Sequence, residues 1–160
     1  MLRPLDEEIL RQIFSSLASH EVAYVLVGGI AMQVHDVSRT TEDIDLFIAP
    51  GEENISRLRS ALDEVFHDPE LRGLRAEDFN GDYGIVRYLP PEHDFEVDLL
   101  SHIGEMFKYE NLTWVEKEFL GVPVRVADPA TLFRMKRGTL RDRDQLDAAR
   151  LQQKFGLGED

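Results

Sequence analysis

The chain has 160 residues, the length of one ordinary domain with room for a real core. Its apolar, aromatic and charged fractions of 42%, 9% and 31% exclude wholesale disorder, and the absence of cysteine excludes disulfides, thiolate metal sites and a cysteine nucleophile. With 31 acidic against 18 basic side chains, the net charge of −13 repels a polyanion at long range and argues against broad duplex nucleic-acid binding.

The opening segment Met1 to Glu8 turns acidic at once, and no apolar run approaches membrane length, so a cytoplasmic protein is expected. Pro4 to Ala18 reads as an amphipathic helix, with Leu5, Ile9, Ile13 and Leu17 at helical spacing and Asp6, Glu7 and Glu8 in the first turn. Val22 to Val27 is a short strand buried on both faces. A helix then begins at the glycines and runs through Ile30 to Val34. His35 to Thr41 is a polar loop that leads into a strand over Asp43 to Ile48.

Pro50 and Gly51 end that strand, and Glu52 to Phe66 returns as a helix with Ile55, Leu58, Leu62 and Phe66 inward. Tyr83 to Leu89 and Asp94 to Ser101 read as strands, the second alternating Phe95, Val97 and Leu99 against Glu96, Asp98 and Leu100. Trp114 to Phe119 and Val122 to Val126 form a hairpin across Leu120-Gly121. Asp128 caps a helix over Pro129 to Arg137, Gly138 ends it, and a last helix spans Asp142 to Phe155 before a frayed tail, Gly156 to Asp160. No repeat or linker interrupts this order. The expectation is one α/β domain, with an α/β core over residues 1–127 and C-terminal helices over 128–155.

Chemistry concentrates between Tyr24 and Ile48. Gly28-Gly29, placed between a buried strand and a helix, lets backbone N–H groups approach a ligand without a Cβ in the way, which suits a phosphate. A glycine pair by itself is more often just a tight turn. Alternation along the next strand puts Asp43 and Asp45 on one face and Ile44, Leu46 and Ile48 on the other. Two carboxylates on one face repel each other, and a divalent cation between them removes the conflict. Magnesium suits such a site, since it takes oxygen ligands from one or two carboxylates plus substrate phosphates. Asp98 supplies a third carboxylate if its strand lies beside Asp43 to Ile48, with Glu96 as a competitor. The bland alternative is a solvated edge strand.

The bases Arg134, Lys136, Arg137, Arg141 and Arg143 crowd one segment, a patch that fits a phosphate-bearing small molecule or one nucleic-acid end. Pairing with Asp142, Asp144 and Asp147 is the competing explanation for that patch. Arg39 either touches the carboxylate cluster or a phosphate, or forms a structural salt bridge, and Thr40 can hydrogen-bond in the loop. The five histidines share no paired spacing, so a zinc site is not expected.

Gly28-Gly29, Arg39-Thr40-Thr41-Glu42-Asp43-Ile44-Asp45 and the later Asp98 together resemble the nucleotidyltransferase superfamily with the DNA polymerase β-like fold. With Lys136 and Arg141-Asp142-Arg143-Asp144 on late helices, the chain looks most like the small bacterial group related to AbiEii toxins. It is also similar to lincosamide and aminoglycoside nucleotidyltransferases. The resemblance covers most of the chain.

It implies a mixed central β-sheet flanked by helices, with short C-terminal helices. Asp43, Asp45 and Asp98 would hold Mg²⁺ (or Mn²⁺), Asp98 serving also as general base. Gly28, Gly29, Arg39, Thr40 and Lys136 would bind a nucleoside triphosphate substrate. The family often carries Ser where this chain has Gly29, so phosphate binding here must rest on backbone and basic groups. The implied activity is transfer of a nucleoside monophosphate from the triphosphate to a hydroxyl acceptor (a small molecule, a tRNA end or a protein) by a two-metal mechanism, one cation binding the triphosphate and one activating the hydroxyl, with pyrophosphate leaving. No membrane partner is expected, and a homodimer could complete the acceptor pocket. The alternative is a non-catalytic module of this fold in a toxin–antitoxin or regulatory system. A phosphohydrolase ranks last, because its additional histidine ligands are missing at useful spacing.

Overall fold

The structure is a computed structural model that describes residues 1–158. Five helices and seven strands follow in the order α1 (Glu7–Ser19), β1 (Tyr24–Val27), α2 (Gly28–Val34), β2 (Ile44–Ile48), α3 (Glu52–Phe66), β3 (Gly84–Tyr88), β4 (Val97–Ile103), β5 (Phe107–Lys108), β6 (Trp114–Phe119), β7 (Val122–Ala127), α4 (Pro129–Arg137) and α5 (Asp142–Phe155). The strands form one mixed sheet in the spatial order β3-β4-β2-β1-β7-β6, with β5 paired outside that row on β4. Among the described residues no helix is long and apolar enough to cross a membrane.

The pairing that positions the site is β2 beside β4, parallel, with Asp45 opposite Asp98 and Leu46 opposite Leu99. β1 flanks β2 antiparallel, Val27 opposite Asp45. β3 flanks β4 antiparallel, Arg87 opposite Asp98. Ile44, Leu46, Ile48, Val97 and Leu99 are fully buried and turn inward. There they meet the apolar sides of α1 and α3, whose Phe14, Leu17, Leu58 and Leu62 belong to the same core. Phe66 of α3 packs its ring edge-on against Tyr88 of β3 and tilted against Phe95, 5.7 and 6.2 Å between centroids.

Several element ends differ from the sequence expectation, each for a nonlocal or a capping reason. α1 starts at Glu7, because the Asp6 side chain accepts the Ile9 N–H and so caps the helix from outside it. β4 starts at Val97 and continues to Ile103. Before it, the Asp94 N–H bonds to the Arg3 carbonyl, which draws the chain away from its sheet neighbour. The segment between α3 and β3 is two short 3-10 turns, Pro69–Gly73 and Ala76–Phe79, with Asp68 capping the first. Past α5, Gly156 takes a left-handed conformation and the Leu157 N–H bonds to the Gln152 carbonyl, closing the helix instead of fraying it. The last two residues of the expected frayed tail, Glu159 and Asp160, lie outside the described residues.

Candidate active site

The outward side of β2 and β4 carries the carboxylates. Asp45 and Asp98 are neighbours in register and within hydrogen-bonding reach of each other. Burial, then the Asp98 charge beside it, pushes the Asp45 carboxyl up to about 7. Burial also raises Asp98, while its bond to Asp45 and the Arg87 charge act in the opposite direction. Asp98 Oδ1 is buried with no hydrogen-bond partner. A carboxyl pair that shares a proton and leaves one buried oxygen unsatisfied is an arrangement a cation would relieve.

Asp43 stands one step before β2 and is tied down differently. Its Oδ1 accepts the Glu96 N–H at 3.1 Å, and its own backbone is bracketed by the Thr41 hydroxyl. Its carboxylate therefore clamps the entry of β2 to the entry of β4, and its charge adds to the field on Asp45 and Asp98. Among the described residues no three His, Asp or Glu side chains are grouped closely enough to form a metal cage. The structure thus brings two of the three expected carboxylates together and leaves the third beside them. Glu96 takes part only through its backbone, giving its N–H to Asp43 and its carbonyl to the Ile44 N–H.

Gly28 opens α2 with φ +76°, and a Cβ there would overlap the Asp45 carboxylate. Only glycine meets both demands, the left-handed backbone and the close approach. Gly29 is constrained by something else. A Cβ built on it lies 2.8 Å from Thr41 Cβ and 3.0 Å from Thr41 Oγ1, so the Thr41 side chain occupies the space a serine at Gly29 would need.

A cavity of about 730 Å³ opens over these groups. Asp45, Asp98, Lys136, Arg141 and Asp144 line its polar part, and Ile85, Leu100, Ile103, Met135 and Leu140 its apolar part, with Arg87 at the rim between strands. Lys136 comes from the last turn of α4 and is buried, its Nζ 2.9 Å from Asp147 and 3.4 Å from Asp144. Arg39 and Thr40 do not line this cavity. The Arg39 guanidinium is paired with Asp147, itself only 1% exposed, and the Thr40 carbonyl accepts from Arg143. Arg39 thus takes the structural salt-bridge alternative.

The sequence assigned no role to the side chains of Thr41 or Arg87, and took Asp147 only as a candidate partner of the basic segment, a pairing that Lys136 makes. Asp147 left a trace, since it shares the apolar side of α5 with Ala148 and Leu151. The other two left none, because their partners are set by loop closure and strand register.

The AbiEii family profile, described as the nucleotidyl transferase AbiEii toxin of type IV toxin–antitoxin systems, matches residues 8–150. The chain belongs to the AbiEii nucleotidyl transferase family. No curated protein sequence matches it. Among solved structures, this AbiEii-family chain is similar to lincomycin-bound LnuA, a lincosamide antibiotic adenylyltransferase. The TM-score is 0.60 at 16% identity, over 94% of this chain and 98% of that one. It is also similar to ANT(2")-Ia in complex with adenylyl-2"-tobramycin, with a TM-score of 0.56 at 14% identity over 94% and 89% of the two chains. A Thermotoga maritima protein described as a nucleotidyltransferase gives 0.56 at 14% identity over 97% and 94%. At such identities these likenesses show the fold. The expected architecture, a mixed sheet flanked by helices, is the one observed.

Proposed function

We propose that this AbiEii-family protein transfers a nucleoside monophosphate from a nucleoside triphosphate to a hydroxyl acceptor. The observation that carries the reading is the Asp45–Asp98 pair, held in register on adjacent strands against Gly28 and open to the cavity. The acceptor oxygen attacks the α-phosphorus and forms the new P–O bond. The bond to the β-phosphate bridging oxygen breaks, and pyrophosphate leaves with the electron pair. Asp98 takes the hydroxyl proton, for which its half-buried carboxylate stands at the cavity floor. Gly28 and the basic groups Lys136 and Arg141 bind and orient the triphosphate.

The donor set fits a hard divalent cation such as Mg²⁺ or Mn²⁺, because two carboxylates sit together with one oxygen unpaired and a triphosphate supplies further oxygens. Asp45 and Asp98 would hold it, with Asp43 adding negative field. When bound, the ion neutralises charge that develops on the phosphate oxygens. The family description supports a toxin reading of the same chemistry.

The test is pyrophosphate release with Mg²⁺ and each of the four ribonucleoside triphosphates, for the wild type, Asp45→Asn and Asp98→Asn. Loss of a positioned base is expected to slow Asp98→Asn by about 100-fold or more. Equal rates in all three proteins would remove the pair from the chemistry.

A further inference from the structure

One row of residues crosses the sheet at a single level. Val27, next to Gly28, is opposite Asp45, Asp45 is opposite Asp98, and Asp98 is opposite Arg87. Strands lie about 4.8 Å apart, so the Arg87 backbone is about 10 Å from that of Asp45 on the side away from Gly28. Residues directly opposite on paired strands project to the same face, so Arg87 shares the face of Asp98 and lines the cavity rim.

Arg87 is exposed, and among the described residues its side chain makes no hydrogen bond or close ion pair, its charge acting on Asp98 only through space. It does not satisfy Asp98, whose Oδ1 is left without a partner. Lys136, by contrast, is neutralised by two aspartates. Beyond Arg87 the sheet ends, since β3 is its outermost strand on that side.

In an in-line displacement the attacking and leaving oxygens lie on opposite sides of the phosphorus. With pyrophosphate toward Gly28 and Lys136, the acceptor enters from the β3–β4 side. On that side it reaches Asp98 past Ile85, Leu100 and Arg87, which line the same cavity. A polycationic acceptor would meet a cation there that no carboxylate binds directly. We propose that Arg87 is an anion subsite for the acceptor, so that the favoured substrate is a hydroxyl compound carrying a phosphate or carboxylate close to the reacting hydroxyl. This inference rests on the transferase reading for the direction of entry.

The test is a titration followed by NMR on isotope-labelled protein that has first been saturated with Mg²⁺ and a non-hydrolysable triphosphate. Glycerol 3-phosphate, glycerate and the dinucleoside phosphate CpA are compared with their neutral counterparts, glycerol and adenosine, and with kanamycin as a polycation. An anionic probe should shift the Arg87 Nε–H resonance and bind about tenfold more tightly than its neutral counterpart. That preference should be lost in Arg87→Gln and largely kept in Arg87→Lys, with each variant's amide spectrum still dispersed as in the folded wild type. Which anionic probe binds separates a small phosphate, a carboxylate and a nucleic-acid end.

The proposal falls if no anionic probe binds, if kanamycin or the neutral probes bind as well, or if Arg87→Gln keeps the preference. Failure of the transferase reading is seen separately, as a wild-type protein that does not bind the triphosphate in the first step.

Discussion

Gly29 and Thr41 show how one residue's identity follows from a neighbour across a loop. The hydroxyl-bearing side chain that a serine at Gly29 would bring has no room, because Thr41 Cβ and Oγ1 fill that space. Gly29→Ser is therefore expected to destabilise the fold by about 1–3 kcal/mol, through overpacking at a site where the obstructing atom is close to the backbone. Thr41→Ala alone removes a side chain that brackets the Asp43 backbone. The pair Gly29→Ser/Thr41→Ala should recover only the part of the serine penalty due to Thr41 Oγ1 and Cγ2, since alanine keeps the Cβ that lies 2.8 Å away, a non-additivity that urea unfolding of the four proteins would measure.

Asp45 ties stability to pH. Its carboxyl titrates at about 7 in the fold, against roughly 3.9 in an unfolded chain. Folding therefore disfavours the ionised form, so the penalty is absent below about pH 4, grows as pH rises, and is complete above about pH 7. Asp45→Asn removes it. With a chelator present, the variant is expected to melt about 4 °C or more above the wild type at about pH 8, and close to it at about pH 4. A melting difference that shrinks toward alkaline pH would contradict the sign. Added Mg²⁺ should raise the wild-type Tm at about pH 8 and leave Asp45→Asn nearly unmoved.

At the scale of elements, the late helices are locked to the site by charge. Asp147 of α5 reaches back to Arg39, ahead of β2, and to Lys136 of α4, while Asp144 receives Lys136 and the Thr139 hydroxyl. Arg150 and Lys154, further along α5, donate to the Ser38 and Asp36 carbonyls of the same loop. The contacts to Arg39, Ser38 and Asp36 span over a hundred residues of sequence, so α5 ties the late part of the chain to the loop before β2. Asp147→Asn leaves two mostly buried cations around a neutral amide and should cost about 3 kcal/mol, read as a lower urea midpoint. Asp147→Asn/Arg39→Gln should recover part of that loss, because Lys136 keeps Asp144 and the second change removes the cation left without a carboxylate.

The elements themselves were largely legible in the chain. β1, β2, α3, the β6–β7 hairpin, α4 and α5 fall where periodicity, caps and glycines put them. The misjudged ends belong to segments whose hydrogen bonds go elsewhere. Asp94 bonds to Arg3, and the Pro69–Gly73 turn is capped by Asp68, whose other oxygen accepts the Tyr88 hydroxyl.

Across the whole molecule, an acidic surplus coexists with a cavity of mixed charge. The net charge is −13, while Arg87, Lys136 and Arg141 stand around one cavity with Asp45, Asp98 and Asp144. The charges of the cavity nearly balance, so an anion is drawn there by single groups such as Arg87 and not by a cationic field, within a protein that repels polyanions at a distance. The order of motifs along the chain was sufficient to indicate the nucleotidyltransferase fold, because a strand, two glycines, a helix and an Asp-x-Asp strand are local patterns with periods of 2 and 3.6. Local pattern also determined which side of β2 bears the aspartates.

What only the folded chain decided was which distant groups share that side. Strand register put Asp98 beside Asp45 and Arg87 beside Asp98, the closing of the loop before β2 turned Asp43 toward Glu96, and the docking of α5 drew Arg39 to Asp147 and away from the cavity. A sequence states each residue's chemistry and its neighbours along one line. The partners that shift a pKa or take up a charge are chosen by packing, which acts between segments far apart on that line.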